Sequence, residues 1–422
     1  MDKLVIEGGN PLRGEVTISG AKNAALPIMA ASLLTDERCV LHNVPSLTDV
    51  DTMIKILRAL ETGVARKKGS IAISGSFKKT RAPYNLVSTM RASVCVLGPM
   101  LARAKYAEVS FPGGCVIGPR PIDLHLKGLE KLGAKIEIKS GYIVAKAKKL
   151  RGAKIYLGGH FGSSVLATAN TMTAATLAEG VTVIENAACE PEVVDLANFL
   201  IAMGAKITGH STPTIKIEGV KKLCGVNYSV VPDRIEAGTY MLAAAITGGE
   251  VLVKGANPAH LLAVIDKLRE CGINVAERAD GIIVSRPTMR KIRPTALATL
   301  PYPGFPTDMQ AQMMSVLCLA RGISVITEKI YPERFIHVSE LSRMGSRILL
   351  EGPNAIIRGV KTLSGADVMA SDLRASAALV LAGLVAKGKT NIHRIYHLDR
   401  GYENIDKKLS LLGAKVWREK ED

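Results

Sequence analysis

LEKLGAKIEI, at residues 129–138, is the stretch from which the fold can be predicted. An apolar helical segment leads through a glycine into alternating residues typical of a strand with one buried face. Glycine after the last helical turn suits the left-handed conformation that ends many helices. The pattern recurs as LIAMGAKITG (200–209), LRECGINVAE (268–277), LSRMGSRILL (341–350), LSLLGAKVWR (409–418) and, more loosely, LRALETGVARK (57–67).

The repeat glycines are almost evenly spaced. They are Gly63, Gly133, Gly204, Gly272, Gly345 and Gly413, at intervals of 70, 71, 68, 73 and 68 residues. An Ala-rich helix, a turn and a β-branched strand recur at the same interval, as in TAATLAEGVTVIEN (173–186). A period of about 70 residues exceeds that of a solenoid and fits a small α/β subdomain. The looser copy has one extra residue, so we expect its helix to end differently.

The repeats predict an α/β (α+β) chain of six subdomains in two groups of three. A Pro-Asp break in VPDRIEAGTY (231–240) places the division near Val231 and Pro232. We expect one domain at 22–231 and a second at 1–21 plus 232–422. The first strand, LVIEGG (4–9), is expected to pair with the second domain.

Bulk composition restricts the function classes. The net charge of +17 favours anionic partners, but aromatic residues make up only 4% of the chain, which argues against nucleic acid binding. No window approaches the ~20 apolar residues of a membrane span, and the start has no export signal. We expect a cytoplasmic protein, a monomer or weak oligomer, with no membrane insertion.

Cys115 is the most conspicuous of seven cysteines. None of the seven belongs to a CxxC pair, and the other six are interpreted as small buried apolar residues. Cys115 instead lies in FPGGCVIGPRPIDLH (111–125), whose glycines and prolines are typical of an exposed lid. Nearby Arg120 would favour its thiolate and so make it a proton donor or acceptor.

Several motifs, in their order along the chain, resemble those of the enolpyruvyl transferase family that includes 5-enolpyruvylshikimate-3-phosphate (EPSP) synthase. The motifs are ISGAKNAALPI (18–28), NVPSLTDVDT (43–52), TMRASVCVLGP (89–99), FPGGCVIGPRPIDLHLKGLEKLGA (111–134), VPDRIEAGT (231–239), FPTDMQAQ (305–312), RFIHVSELSRMG (334–345), SDLRASAALVLAG (371–383) and HLDRGYENI (397–405).

The resemblance implies a pair of inside-out α/β barrels, with sheets outside and helices within. It also implies transfer of the enolpyruvyl group of phosphoenolpyruvate to the 3-hydroxyl of UDP-N-acetylglucosamine, the first committed step of peptidoglycan synthesis. Cys115 would then participate in proton delivery and product release, and fosfomycin, a phosphonate epoxide, should alkylate it.

The donor substrate carries a phosphate and a carboxylate, which lysine and arginine suit as partners. The resemblance implies that Lys22, Arg120 and Arg400 bind phosphoenolpyruvate. The assisting residues would be Arg91, Arg334 and Arg374. Taken singly, each is typical of a surface charge, and their occurrence in separate matching motifs is what favours an anion site.

Two aspartates have two interpretations each. Asp308 precedes an apolar helix, so it is either a helix cap or the base for the acceptor hydroxyl, and the matching motif favours the base. Asp372 is either a group beside the reacting centre or a cap of the following helix, a role that Ser371 could take instead.

The sugar nucleotide has its own implied contacts. Asn23, Asp308 and Ile330 would contact the sugar nucleotide, with Asn23 near the acceptor sugar, and the loop Arg120, Pro121, Ile122, Asp123 and Leu124 would lie at the uridine. Gly162, Ser163 and Ser164 would occupy a further nucleotide contact, in a loop longer than is common in the family.

Other site types have little support. The phosphate-binding patterns GxxxxGK(S/T) and strand-linked GxGxxG are absent from the sequence. His125, His337, His393 and His397 have no carboxylates at ligand spacing, so we assign no metal and no organic cofactor. Two alternatives stay open, an EPSP synthase using shikimate 3-phosphate and a noncatalytic protein that binds a nucleotide sugar or an anionic polymer.

Overall fold

The computed structural model describes residues 2–74, 76–113, 122–159, 162–287 and 291–421. Within them the chain forms two compact units. One holds the described residues between 20 and 231, and the other holds residues 2–19 together with 232–421. The predicted α/β class is confirmed by the strands and helices of both units.

The strands are short throughout. They are β1 (Asp2–Glu7), β2 (Arg13–Thr17), β3 (Cys39–His42), β4 (Gly63–Lys67), β5 (Ser70–Ser74), β6 (Arg81–Ala82), β7 (Tyr106–Ser110), β8 (Lys135–Lys139), β9 (Tyr142–Lys146), β10 (Lys154–Tyr156), β11 (Gly158–Gly159), β12 (Gly162–Ser163), β13 (Val181–Glu185), β14 (Lys206–Thr208), β15 (Thr214–Glu218), β16 (Asn227–Ser229), β17 (Glu250–Lys254), β18 (Asn274–Arg278), β19 (Gly281–Ser285), β20 (Ala296–Ala298), β21 (Ile323–Thr327), β22 (Arg347–Glu351), β23 (Asn354–Arg358), β24 (Asp367–Met369), β25 (Lys389–His393) and β26 (Lys415–Lys420).

The helices alternate with these strands. They are α1 (Lys22–Ala31), α2 (Thr48–Ala59), α3 (Tyr84–Val87), α4 (Leu97–Ala104), α5 (Asp123–Lys131), α6 (Val165–Ala175), α7 (Pro191–Ala202), α8 (Arg234–Thr247), α9 (Leu262–Glu270), α10 (Gln310–Leu317), α11 (His337–Arg343), α12 (Leu373–Gly383) and α13 (Ile405–Leu411). Short 3₁₀ helices span Ser32–Leu34, Arg91–Val96, Pro258–His260, Thr307–Met309 and Ile395–Arg400.

Each unit contains three four-stranded sheets of one topology among its described residues. A parallel edge strand is followed by three strands in antiparallel order. The orders are β16-β3-β5-β4, β6-β7-β9-β8 and β10-β13-β15-β14 in the first unit, and β2-β17-β19-β18, β20-β21-β23-β22 and β24-β25-β1-β26 in the second. The repeat found in the sequence is therefore also a repeat of strand pairing.

The first strand completes the last sheet. β1 pairs antiparallel with both β25 and β26, with Leu4 opposite Ile392 and Arg418. This confirms that the N-terminal strand pairs with the second half of the chain. The following strand, β2, pairs parallel with β17, so both early strands belong to the second unit.

Helices α8 and α10 are buried on almost every side. All residues from Ile235 to Thr247 in α8 are buried, as are all residues of α10. A helix that is apolar around its whole circumference belongs in a core, and small side chains let neighbouring helices approach closely. At Gly128 of α5, a Cβ would lie 2.1 Å from Thr171 Oγ1 of α6, so this contact requires glycine.

The repeat glycines end their helices as predicted at five positions. Gly133, Gly204, Gly272, Gly345 and Gly413 have φ between 84° and 103°. At the looser copy the helix ends differently, as predicted. There Glu61 has φ 63° and takes the left-handed position, whereas Gly63 begins strand β4. The physical reason is that the residue following the helix cap Leu60 must turn, and this residue is Glu61.

We expect Gly413→Ala to lower the free energy of unfolding by about 1 kcal/mol, because a Cβ is unfavourable at positive φ. No other atom lies within 4 Å of the added Cβ, so the cost is conformational. Lys79→Ala removes the Glu61–Lys79 ion pair. Glu61→Gly made in that background should raise the free energy of unfolding relative to Lys79→Ala alone. Thermal unfolding of each variant measures both shifts, and an unchanged or more stable Gly413→Ala protein would contradict the assignment.

The buried-cysteine prediction holds for four residues and is wrong for one. Cys39, Cys95, Cys271 and Cys318 are buried, Cys189 is partly buried, and Cys224 is exposed. Cys224 lies in the loop between β15 and β16, where the neighbouring Leu223 is buried and the Cys224 side chain faces solvent. Across the described ranges, every helix is too short or too polar to cross a bilayer.

Candidate functional site

Asp308 lies between two buried guanidinium groups in the second unit. Its Oδ1 accepts from Arg334 Nη1 at 2.9 Å, and its Oδ2 accepts from Arg374 Nη2 at 2.9 Å. The arginine side chains are only 5% and 4% exposed, whereas that of Asp308 is 31% exposed. The Asp308 carboxylate is therefore partly accessible, whereas the two guanidinium groups that hold it are buried.

The two arginines determine the charge of Asp308. Burial raises the pKa of the Asp308 carboxyl, but Arg374 and Arg334 outweigh that effect and hold the pKa well below its usual range. Asp308 is thus ionised at neutral pH. A carboxylate held this way is a weak base until one arginine contact lengthens.

The structure separates the two interpretations of the aspartates. The 3₁₀ helix at Thr307–Met309 and helix α10 have no side-chain cap, so Asp308 is not a cap. Asp372 caps α12, accepting from the backbone N–H groups of Arg374 at 2.8 Å and Ala375 at 3.1 Å. By holding the first turn of α12, Asp372 also fixes the backbone from which Arg374 projects.

Further titratable groups lie near Asp372. The pKa of His337 is lowered to about 4, mainly by burial; Asp372 opposes the shift and the charge of Arg334 adds to it. Burial, followed by the charge of Arg400, also lowers the pKa of His397, and Asp372 again opposes the shift. Arg400, at the end of the 3₁₀ helix Ile395–Arg400, is therefore close enough to act on the same group as Asp372.

A buried hydrogen-bond cluster supports Arg374 from behind. Arg374 Nη1 donates to the Tyr402 hydroxyl at 3.2 Å, and that oxygen lies 2.8 Å from Thr239 Oγ1. Gln312 Nε2 lies 3.2 Å from the same hydroxyl and donates to the Asp308 carbonyl at 2.9 Å. Sequence reasoning did not select Tyr402 or Gln312, although both lie within motifs that were quoted.

Lys22 forms a buried ion pair in the first unit. Its Nζ donates to Asp49 Oδ2 at 2.9 Å, and the two side chains are 11% and 5% exposed. Lys22 begins α1 and Asp49 lies in the first turn of α2. Lys22 is therefore not the solvated surface charge that an isolated lysine usually is, and Asn23 follows it, partly buried, on the same helix.

Arg91 begins the 3₁₀ helix Arg91–Val96 and lies near the start of α5. Burial lowers the pKa of His125 to about 3, and the charge of Arg91 contributes. His125 Nδ1 lies 2.9 Å from Asn170 Nδ2, a hydrogen bond that ties α5 to α6. The structure thus brings Arg91 toward the helix that begins at Asp123.

Described residues of the predicted nucleotide site lie at the start of α5 and in a hairpin that packs on it. Ile122 is buried at the start of α5, followed by exposed Asp123 and partly buried Leu124. β11 and β12 form a hairpin in which Gly159 pairs with Gly162 and Gly158 with Ser163. A Cβ on Gly159 would lie 3.1 Å from Leu124 Cδ1, so the hairpin packs against α5.

Ser164 follows this hairpin and caps α6. Its side chain accepts from the backbone N–H of Ala167 at 3.4 Å. Gly162 and Ser163 therefore lie in the strand that pairs with the strand of Gly159, which contacts Leu124, and Ser164 follows them.

Three predicted site residues, Cys115, Arg120 and Pro121, lie outside the described residues. Among the residues that are described, histidine, cysteine and acidic side chains form no group of three arranged to hold a metal ion.

The family model described as EPSP synthase (3-phosphoshikimate 1-carboxyvinyltransferase) matches residues 6–409. The chain belongs to the EPSP synthase family. This match confirms the resemblance drawn from the motifs, and it covers both units of the structure.

Relatives of known name are similar to this chain over its whole length. Two relatives are named UDP-N-acetylglucosamine 1-carboxyvinyltransferase. That of Methylacidiphilum infernorum (isolate V4) is 55% identical over 418 residues, covering 99% of each chain. That of Desulfatibacillum aliphaticivorans is 56% identical over 421 residues, covering 100% of each. The crystal structure of the enolpyruvyl transferase NikO from Streptomyces tendae has a TM-score of 0.89 at 22% identity, covering 100% of this chain and 99% of that one, which shows a shared fold.

Proposed function

We infer that this chain transfers the enolpyruvyl group of phosphoenolpyruvate to the 3-hydroxyl of UDP-N-acetylglucosamine and releases phosphate. This would be the first committed step of peptidoglycan synthesis, carried out in the cytoplasm. The observation that carries the inference is full-length identity of 55% to an enzyme named for this acceptor. The accessible carboxylate of Asp308, held against two buried arginines, supports it.

The substrate contacts follow the motifs. We propose that Lys22, Arg120 and Arg400 bind phosphoenolpyruvate, with Arg91, Arg334 and Arg374 assisting. Asn23, Asp308 and Ile330 would contact the sugar nucleotide. The uridine would lie against the loop 120–124 and the segment 162–164, which is supported by the packing of the hairpin on Leu124.

The proposed reaction is an addition followed by an elimination. The sugar 3-hydroxyl donates its proton toward Asp308 as its oxygen bonds to C2 of phosphoenolpyruvate, while C3 gains a proton with the participation of Cys115. The resulting tetrahedral phospho-ketal then loses a proton from C3 and its C2–O bond to phosphate, which restores the double bond. Fixed cations stabilise the charge that moves onto the departing phosphate.

Asp308 can accept a proton only if its low pKa rises during the reaction. The exposed face of the carboxylate is where an acceptor hydroxyl can approach, and a shift of either guanidinium toward an anionic substrate would weaken its hold on Asp308. Binding of the donor and activation of the acceptor would therefore be coupled through Arg334 and Arg374.

We propose that each unit is an inside-out barrel, one at 22–231 with the Cys115 lid and one at 1–21 plus 232–422. The buried helices and the three like sheets of each unit support this arrangement.

A phosphate-release assay tests the function. Phosphoenolpyruvate with UDP-N-acetylglucosamine should release phosphate continuously, whereas shikimate 3-phosphate in its place should not. Turnover with shikimate 3-phosphate alone would assign the chain to the other acceptor class of its family. Tight binding of the sugar nucleotide without turnover would indicate a noncatalytic protein.

Fosfomycin is expected to add covalently to Cys115. The thiolate attacks an epoxide carbon and the ring opens, so the intact mass should increase by one inhibitor molecule. Cys224 is the matched control because it is the exposed cysteine of the described chain. Cys115→Ser should abolish the adduct and Cys224→Ser should not, while an adduct mapped to any other cysteine would remove the support for the lid.

A further inference from the structure

Glu328 is a fully buried carboxylate immediately after strand β21. Its Oε1 accepts from Thr299 Oγ1 at 2.6 Å and from the backbone N–H groups of Ile330 and Tyr331, both at 2.9 Å. Its Oε2 accepts from Thr307 Oγ1 at 2.9 Å. In the described ranges no cation forms a salt bridge with Glu328, so these four donors are what compensate its burial.

The direction of each hydroxyl donor is determined by a second contact. Thr307 Oγ1 accepts from Arg334 Nη1 at 3.0 Å, and Thr299 Oγ1 accepts from the backbone N–H of Lys329 at 2.9 Å. Guanidinium and backbone N–H groups can only donate. Both hydroxyls must therefore direct their own hydrogen toward Glu328.

A continuous chain of contacts thus runs from Glu328 to Asp308. Thr307 donates to Glu328, and Arg334 Nη1 donates both to Thr307 Oγ1 and to Asp308 Oδ1. The other oxygen of Glu328 holds the turn that carries Ile330. One buried carboxylate therefore connects two parts of the proposed sugar-nucleotide site.

We propose that Glu328 is a positioning residue for the transfer reaction. Through Thr307 it orients Arg334 on Asp308, and through two backbone N–H groups it holds Ile330 at the sugar nucleotide. The proposal rests on the proposed function and goes beyond it, because neither Glu328 nor Thr307 has an assigned role there.

The chemistry of the site requires an acid rather than an amide. A carboxylate offers four acceptor positions and no donor, which matches four converging donors. In Glu328→Gln the amide oxygen would stay with the three donors at Oε1, and the NH₂ would face Thr307. The NH₂ group and Arg334 would then both donate to the Thr307 hydroxyl, and the hydrogen of that hydroxyl would have no acceptor. The orientation of Thr307 would no longer be fixed, so neither would that of Arg334, which donates to it.

Steady-state kinetics of four variants test the proposal. Thr307→Val and Glu328→Gln should each lower kcat by about 10- to 100-fold, the effect expected for a small displacement of reacting groups. Thr307→Ser keeps the hydroxyl and should retain kcat within about threefold, since the same contacts can form. Thr299→Val is the matched control. It removes a donor to Glu328 Oε1, whereas the path to Arg334 runs through Oε2 and Thr307.

Three readouts separate positioning from folding. Thr299→Val should lower the melting temperature but keep kcat. The double variant Thr307→Val/Glu328→Gln should be no slower than Glu328→Gln, because both act through one path. Glu328→Gln should leave KM for UDP-N-acetylglucosamine within about threefold, because its amide oxygen still accepts from the Ile330 and Tyr331 N–H groups, so the loss should fall on kcat.

The outcomes distinguish this proposal from the function itself. A wild-type protein without phosphate release would overturn the function and this inference with it, and an active Asp308→Asn would remove the residue through which Glu328 acts. If the wild type turns over and Asp308→Asn does not, unchanged kcat in Thr307→Val and Glu328→Gln would overturn the positioning role alone.

Discussion

Replacing Asp308 by asparagine is expected to reduce kcat by about 10²- to 10⁴-fold, the contribution of a positioned proton acceptor. The amide keeps the size of the side chain but cannot accept the proton of the sugar hydroxyl. It also leaves Arg334 and Arg374, both almost fully buried, without their shared anion. A continuous phosphate-release assay at saturating substrates gives the change in kcat.

The same substitution should lower the free energy of unfolding by about 3 kcal/mol, because one member of a buried charge group is removed. The pKa of Asp308 is lower in the folded state, so its stabilising contribution is present above the unfolded pKa of ~3.9 and lost as the pH falls below it. The stability difference between wild type and variant should therefore shrink below about pH 4.

Asp36→Asn provides the control, since Asp36 pairs with Arg103 in the other unit and has no proposed role. It should keep wild-type kcat. Asp308→Asn with kcat close to that of the wild type would exclude Asp308 as the base.

Lys22→Ala is expected to reduce kcat/KM for phosphoenolpyruvate by about 10²- to 10³-fold, as loss of one fixed donor to a transition-state anion does. Lys22 lies on a buried helix and is oriented by Asp49, so its ammonium group cannot be replaced by a neighbouring mobile lysine. Removal of the side chain should also destabilise the first unit, since it leaves the Asp49 carboxylate without this partner.

Asp49→Asn separates these two effects. It breaks the same ion pair but keeps the Lys22 ammonium, so it should destabilise the protein while reducing kcat/KM much less than Lys22→Ala does. Equal kinetic losses in the two variants would mean that Lys22 acts through the ion pair rather than on the substrate.

The repeat could be predicted from sequence because each copy carries its own local signal. At Gly133, Gly204, Gly272, Gly345 and Gly413, the glycine, the preceding helix and the following strand all agree. The extra residue of the looser copy predicted a different helix end, but not that Glu61 takes the left-handed conformation, because the neighbouring elements impose it against the preference of that residue. Gly63, two residues later, supplied a misleading signal.

Site residues could be predicted from sequence where the residue type itself indicates a chemical role. Arginines in separate motifs suggested an anion site, and the structure brings Arg334 and Arg374 onto one carboxylate. Glu328 gave no such signal, because a glutamate after a strand is usually a surface residue. Its importance depends on four donors that come from positions 299, 307, 330 and 331, and that convergence exists only in the folded chain.

The pairing of β1 with β25 and β26 has a consequence for synthesis on the ribosome. Residues 2–7 are synthesised about 380 residues before β25 and β26, so at roughly 5–20 residues per second the apolar segment Leu4–Ile6 waits about 20–80 s for them. Residues 20–231 are contiguous and can mature during this interval. The sheet β24-β25-β1-β26 can close only after residues 389–420 have been synthesised, and during this delay β1 is an apolar strand that a chaperone would protect.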